Sequence, residues 1–103
     1  MKLKNKKVII TGGASGMGKA TAELFCREGA TVAIMDINKA EGEKTISQIN
    51  TNNEKAFFFH TDLTKSKEVK KTVNQIVDLF GTINKINLNN EKAFFFHTDL
   101  TKS

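Results

Sequence analysis

No tyrosine and no tryptophan occur among the 103 residues, and cysteine is reduced to one, Cys26. Without a second cysteine no intramolecular disulfide framework can exist, so a reducing, cytoplasmic compartment is expected. Cys26 follows Phe25 in a stretch of helical character, where a small core side chain is expected and not a reactive thiol. Long hydrophobic runs are missing too: none approaches the ~20 apolar residues that cross a bilayer. The lysine-rich opening "MKLKNKK" leads only into Val8–Ile10 before polar, glycine-rich sequence, which is too little for a signal peptide. A soluble protein is expected. Arginine occurs once, as Arg27, so the excess behind the formal charge of +5 is lysine. With no arginine or aromatic readers gathered among those lysines, they read as solvated surface, which excludes nucleic acid as the expected partner and mildly favours an anionic ligand. The rest of the composition, 39% hydrophobic and 26% charged, is that of one folded domain with a single core.

Three strand–helix alternations follow one another along the chain. Lys7 to Thr11 is a short apolar run ending at glycines, as for a strand buried on both faces. Met17 to Glu28 reads as a helix with Met17, Ala20, Leu24 and Phe25 as its apolar positions and Gly29 placed to end it. Thr31 to Asp36 is a second strand, and Lys39 to Asn50 a weaker helix carrying Ala40, Ile46 and Ile49. Ala56 to Asp62, "AFFFHTD", is a third strand. Ser66 to Phe80 shows the clearest helical stripe, Val69, Val73, Ile76, Val77 and Phe80, with Gly81 to close it. Such alternation predicts parallel pairing through right-handed crossovers, with helices on both faces of the sheet. The expected class is α/β: a three-layer α/β/α partial Rossmann fold with a parallel sheet of three to four strands.

The sequence "NNEKAFFFHTDLTKS" occurs twice, at Asn52 to Ser66 and at Asn89 to Ser103. Two identical copies are too few and too alike for a solenoid, whose units number three or more and drift apart. Residues 1–84 therefore read as the domain proper, and 85–103 as a duplicated segment. Its second "AFFFHTD" can fill the place of a fourth strand, covering the far edge of strand one, or can displace its own copy from the third position. An edge left open would favour self-association.

The loop "TGGASGMGKAT" admits two chemistries. Gly13, Gly18 and Lys19 fit a Walker A spacing, but Ala20 stands where a magnesium-binding hydroxyl is required, and Thr21 is turned about 100° further round the helix. The dinucleotide reading has more support. Thr11, Gly12, Gly16 and Gly18 follow a strand and open a helix, where backbone N–H groups and the helix dipole face an anion. Asp36 ends the second strand, eighteen residues past Gly18, where an acid accepts hydrogen bonds from ribose hydroxyls.

On these residues the sequence resembles the short-chain dehydrogenase/reductase family from about Lys6 to Asn84. The resemblance implies an NAD(P)-dependent oxidoreductase fold with Gly12, Ser15, Gly16, Met17 and Gly18 at the diphosphate. It further implies Asp36 at the ribose, Ile37 and Leu63 beside the adenosine, and Asp62 at the adenine. "FGTIN", Phe80 to Asn84, is similar to the family's approach to its fourth strand. A 2′-phosphate beside Asp36 would face a carboxylate with no cation at Ser15 or Ile37, so NAD is the expected cofactor.

The same resemblance shows what is absent. Proton transfer in the family implies a Tyr-x-x-x-Lys pair, and the chain has no tyrosine. Asn89 and Asn90 start like the family's Asn-Asn-Ala-Gly but continue as Glu91 and Lys92. His60 and His97, at the ends of the two copies, read as hydrogen-bonded structural residues. No catalytic residue and no metal ligand is assigned. The leading reading is the NAD(H)-binding N-terminal portion of such an oxidoreductase, inactive alone. A non-enzymatic nucleotide-binding or self-associating module is the alternative, and a P-loop protein the third.

Overall fold

A computed structural model describes residues 2–14, 16–52, 55–87 and 93–97, with side-chain surroundings for 2–14, 16–51 and 55–81. The chain runs β1 (Lys7–Thr11), α1 (Gly16–Arg27), β2 (Thr31–Asp36), α2 (Lys39–Ile49), a short 3-10 turn (Asn50–Asn52), β3 (Lys55–His60), α3 (Ser66–Asn87) and β4 (Ala93–His97). All pairing is parallel, in the order β3-β2-β1-β4. β1 and β2 occupy the centre, and their near-continuous apolar sequences follow from burial on both faces.

Side chains alternate across a strand, so the sheet divides the core in two. Val8, Ile10, Val32 and Ile34 pack with Ala22 and Cys26 of α1 and Ile49 of α2. Ile9, Ala33 and Met35 pack with Ile76 and Phe80 of α3. The expected three layers result, with α1 and α2 on one face and α3 on the other. α2 lies close on β3, because a Cβ at Gly42 would overlap the Phe58 ring. Cys26 is buried, as expected, and its thiol donates to the Lys55 carbonyl at 3.7 Å.

Several local expectations are corrected. α1 buries Gly18, Ala22 and Cys26, while Met17 and Leu24 are 63% and 48% exposed and Ala20 is exposed. A helix pressed against two central strands needs small residues at the contact, and the i, i+4, i+8 row of small residues meets that need better than the larger ones. Phe25 alone of the expected set packs partly against the core. In α2, Ala40 is exposed and Gly42, Thr45 and Ile49 are buried. Val77 is 50% exposed, which leaves Val69, Val73, Ile76 and Phe80 as the inner stripe of α3. α3 also continues past Gly81 to Asn87, since glycine costs a helix only ~1 kcal/mol relative to alanine. "FGTIN" is therefore helix, not the approach to a strand. Lys7 is not a solvated lysine: it is 1% exposed, with Nζ donating to the Asn5 carbonyl at 3.2 Å.

The second copy of the repeat does take the fourth place. Ala93–His97 pairs with Lys7–Thr11, so the two copies stand at opposite ends of one sheet. Their phases differ. Phe57 stands in register with Ala33, the partner of Ile9, whereas its copy Phe94 stands in register with Val8, one residue earlier.

Candidate functional site

Parallel strands bring the loops that follow them to one end of the sheet, and here those ends are tied together. The Gly12 amide donates to the Met35 carbonyl at 2.8 Å, and the Thr61 amide donates to the Asp36 carbonyl at 2.9 Å. The turn after β1, the end of β2 and the turn after β3 thus form one continuous rim. Gly12 and Gly16 hold φ of 73° and 60°, a left-handed conformation in which a side chain would be strained. A Cβ on Gly16 would meet nothing within 4 Å, so open space lies over the start of α1. On the inner side, a Cβ on Gly13 would come within 2.8 Å of Ile34, which keeps the loop tight against the sheet. α1 begins at Gly16, and the first N–H groups of a helix have no partners within it.

Asp36 reaches this loop directly. One carboxylate oxygen, Oδ2, accepts from the Ala14 amide at 3.2 Å, and Oδ1 accepts from the Asn38 amide at 2.9 Å. Each oxygen keeps a further lone pair, so the group is oriented and still able to accept. Ala14 is itself buried, and its carbonyl accepts from the Thr45 hydroxyl of α2 at 2.6 Å. Ala14 and Thr45 were not legible as site residues. The available signal was a hydroxyl at Thr45 in the row Gly42, Thr45, Ile49, the buried face of α2, where an acceptor must exist.

At the third rim position the Thr61 hydroxyl lies 3.1 Å from both the Phe59 carbonyl and the Thr72 hydroxyl, anchoring the turn to α3. Asp62 follows. Its Oδ1 accepts from the Thr64 hydroxyl at 2.6 Å and amide at 3.0 Å, and its own amide donates to Glu68 at 2.8 Å. The Thr64 hydroxyl and then its amide hold the carboxyl below its ordinary 3.8; burial opposes them, and Lys65 adds the smallest lowering effect.

The structure therefore brings Gly12, Gly16, Gly18, Asp36 and Asp62 to one rim. Met17 and Ile37 stand exposed beside it, Ile37 at 58%, and Leu63 packs partly against the α3-side core. Ser15 lies outside the described residues. His60 is exposed at the end of β3, and the side chain of His97 is outside the described set. Thr21, the residue a Walker A site would have to recruit, donates its hydroxyl to the Met17 carbonyl at 2.8 Å. Among the described residues no group of three or more His, Cys, Asp or Glu could hold a metal ion, and no helix is long and apolar enough to cross a membrane.

Comparison with known proteins bears on the family and the fold. The sequence profile described as short chain dehydrogenase matches residues 6–91. An uncharacterized oxidoreductase of Bacillus subtilis (strain 168), YxbG, is 47% identical over 81 residues, covering 79% of this chain and 30% of the relative. Secoisolariciresinol dehydrogenase of Forsythia intermedia is 40% identical over 80 residues, covering 78% and 28%. Among solved structures, an NAD+-bound xylitol dehydrogenase superposes with a TM-score of 0.76 at 30% identity, covering 79% of this chain and 31% of that one. The citronellol catabolism dehydrogenase AtuB of Pseudomonas aeruginosa PAO1 gives 0.75 at 28% identity, covering 78% and 34%. The chain thus spans under a third of the length of the curated relatives it matches.

Proposed function

We propose, on the premise that the chain belongs to the short chain dehydrogenase family, that residues 1–84 form the NAD(H)-binding part of an oxidoreductase. Within the duplicated segment 85–103, Ala93–His97 adds the repeated strand to its sheet. One observation carries this reading: Asp36 Oδ2 lies 3.2 Å from the Ala14 amide, so the acid at the end of β2 and the glycine loop after β1 share one rim. A dinucleotide needs both, an amide cradle for its diphosphate and a carboxylate for the adjoining ribose. The open space over Gly16 fits a diphosphate that must approach backbone closely.

In this reading Gly12, Ser15, Gly16, Met17 and Gly18 surround the diphosphate. Asp36 accepts from the ribose hydroxyls, Ile37 and Leu63 flank the adenosine, and Asp62 receives the adenine edge. The bound nicotinamide supplies hydride transfer. The chain itself holds and orients; with no tyrosine it lacks the family's proton donor, and we assign it no turnover alone. NAD is preferred over NADP because both Asp36 oxygens are fixed by backbone amides. The carboxylate cannot easily turn away from a 2′-phosphate, and Ile37 and Asn38 beside it carry no charge. A cytoplasmic setting fits the single buried thiol. β4 ends the sheet, and an end strand is a template for pairing, so self-association through a sheet edge belongs to the same reading.

Titration of the chain with NADH, NADPH and ATP–magnesium tests it. NADH binds weakly, with Kd about 1 mM, since only part of a dinucleotide site is preorganised. Asp36→Ala removes that binding, and Asp36→Asn shifts preference toward NADPH by at least about tenfold. Magnesium-dependent ATP binding would replace this reading with the P-loop one, and oxidation of an alcohol by the isolated chain would overturn the assignment of no turnover.

A further inference from the structure

Among the described residues of the glycine loop, Ala14 has both of its backbone polar groups held by side chains. Its amide donates to Asp36 at the end of β2, and its carbonyl accepts from Thr45 in the middle of α2. Both Ala14 and Thr45 are fully buried. At 2.6 Å the Thr45 bond is the shorter of the two, and no water can take its place in a site closed to solvent. A buried carbonyl stripped of its donor pays a desolvation penalty that the loop can relieve only by lifting toward solvent. Gly13, wedged between Ile34 and Ile10, has no room to absorb such a shift. The residues that would move are those on the open side, beginning with Gly16 at the start of α1.

We infer that Thr45 is a positioning residue for the glycine loop, acting through the Ala14 carbonyl to fix the spacing between the loop amides and the Asp36 carboxylate. α2 is then more than a crossover between β2 and β3: it sets the height of the cradle above the sheet. For its effect on a cofactor the inference rests on the NAD reading above; for its effect on the loop it rests on the hydrogen bonds alone.

Thr45→Val keeps the side-chain shape and deletes the hydroxyl, and Thr45→Ser keeps the hydroxyl and deletes a methyl. Two measurements separate the roles. In the ligand-free chain, amide hydrogen exchange at Ala14, Gly16 and Gly18 accelerates about tenfold in Thr45→Val relative to the central amides of β2, and returns toward wild type in Thr45→Ser. In an NMR titration with NADH, Thr45→Val weakens binding about fivefold and Thr45→Ser stays within twofold. If exchange rises equally in the loop and in β2, or if the serine variant behaves like the valine one, the residue is a packing element only and the inference is overturned. If the wild-type chain takes up no NADH, the cofactor reading fails, and the exchange measurement alone decides: selective loosening of the loop supports the positioning role, and an unchanged loop overturns it.

Discussion

Two carboxylates stand on the rim, and they are held in different ways. Among the described residues Asp36 accepts from backbone amides alone, those of Ala14 and Asn38, so its position depends on the fold and not on a mobile cation. Asp62 is held by Thr64, whose hydroxyl and amide both donate to it, and its ion pair is long, 4.0 Å, to a Lys65 side chain that is 68% exposed. The donors favour the charged form, so the Asp62 pKa is lowered on folding. Its contribution to stability is therefore present above the unfolded-state value near 3.8 and is lost as pH falls through the lower folded value. Thr64→Val should move the Asp62 titration upward, toward the ordinary range, as read by side-chain carboxyl shifts in NMR. The same variant should be less stable than the parent near neutral pH and equal to it in strong acid. An unchanged Asp62 titration would show that the hydroxyl does not act as described.

At the scale of elements, α1 shows how a correct helix can be assigned the wrong face. Its buried row is Gly18, Ala22 and Cys26, and its larger apolar residues Met17 and Leu24 point outward. Leu24→Gln should then change stability by no more than about 0.5 kcal/mol. Ala22→Leu, which forces four-carbon bulk into the seam against β1 and β2, should cost roughly 1–3 kcal/mol or more. Urea denaturation of both variants decides the matter, and the reverse ranking would restore the face expected from residue size. The existence, order and type of β1, α1, β2, α2, β3 and α3 were all legible, because strand and helix periods differ and glycines punctuate them. The face of α1 was not, because hydrophobicity ranks Leu above Ala while a close helix–sheet contact selects for small volume.

For the whole molecule, the distinctive feature is a sheet whose two end strands share the letters AFFFH, offset by one residue in register. A one-residue slip normally exchanges a strand's buried and solvated faces. A run of Ala-Phe-Phe-Phe tolerates it, since both of its faces are apolar. The β3 end is partly closed: the Asn50 side chain donates to the Ala56 carbonyl and accepts from the Ala56 amide, both at 3.0 Å. That bidentate clamp occupies backbone groups that would otherwise be open for pairing with another chain. Asn50→Ala should lower stability by about 1–3 kcal/mol, the worth of two such bonds, and raise the concentration-dependent association seen by sedimentation. Lower stability with no change in association would mean that the β3 edge is not a surface for pairing with another chain.

The sequence by itself determined the α/β class, the parallel alternation, the position of the glycine loop and the identity of the acid at the end of β2, because each is written in local spacing. It also determined that these 103 residues hold no tyrosine. Only the tertiary structure decided that Asp36 touches the loop through Ala14, that Thr45 holds that residue from the other side, and that Lys7 is buried. It alone placed the second AFFFH beside β1. These are contacts between residues far apart in the chain, and two identical strands carry no local signal for choosing between slots. That choice follows from the crossover of α3 and from which edge of the sheet is left to cover.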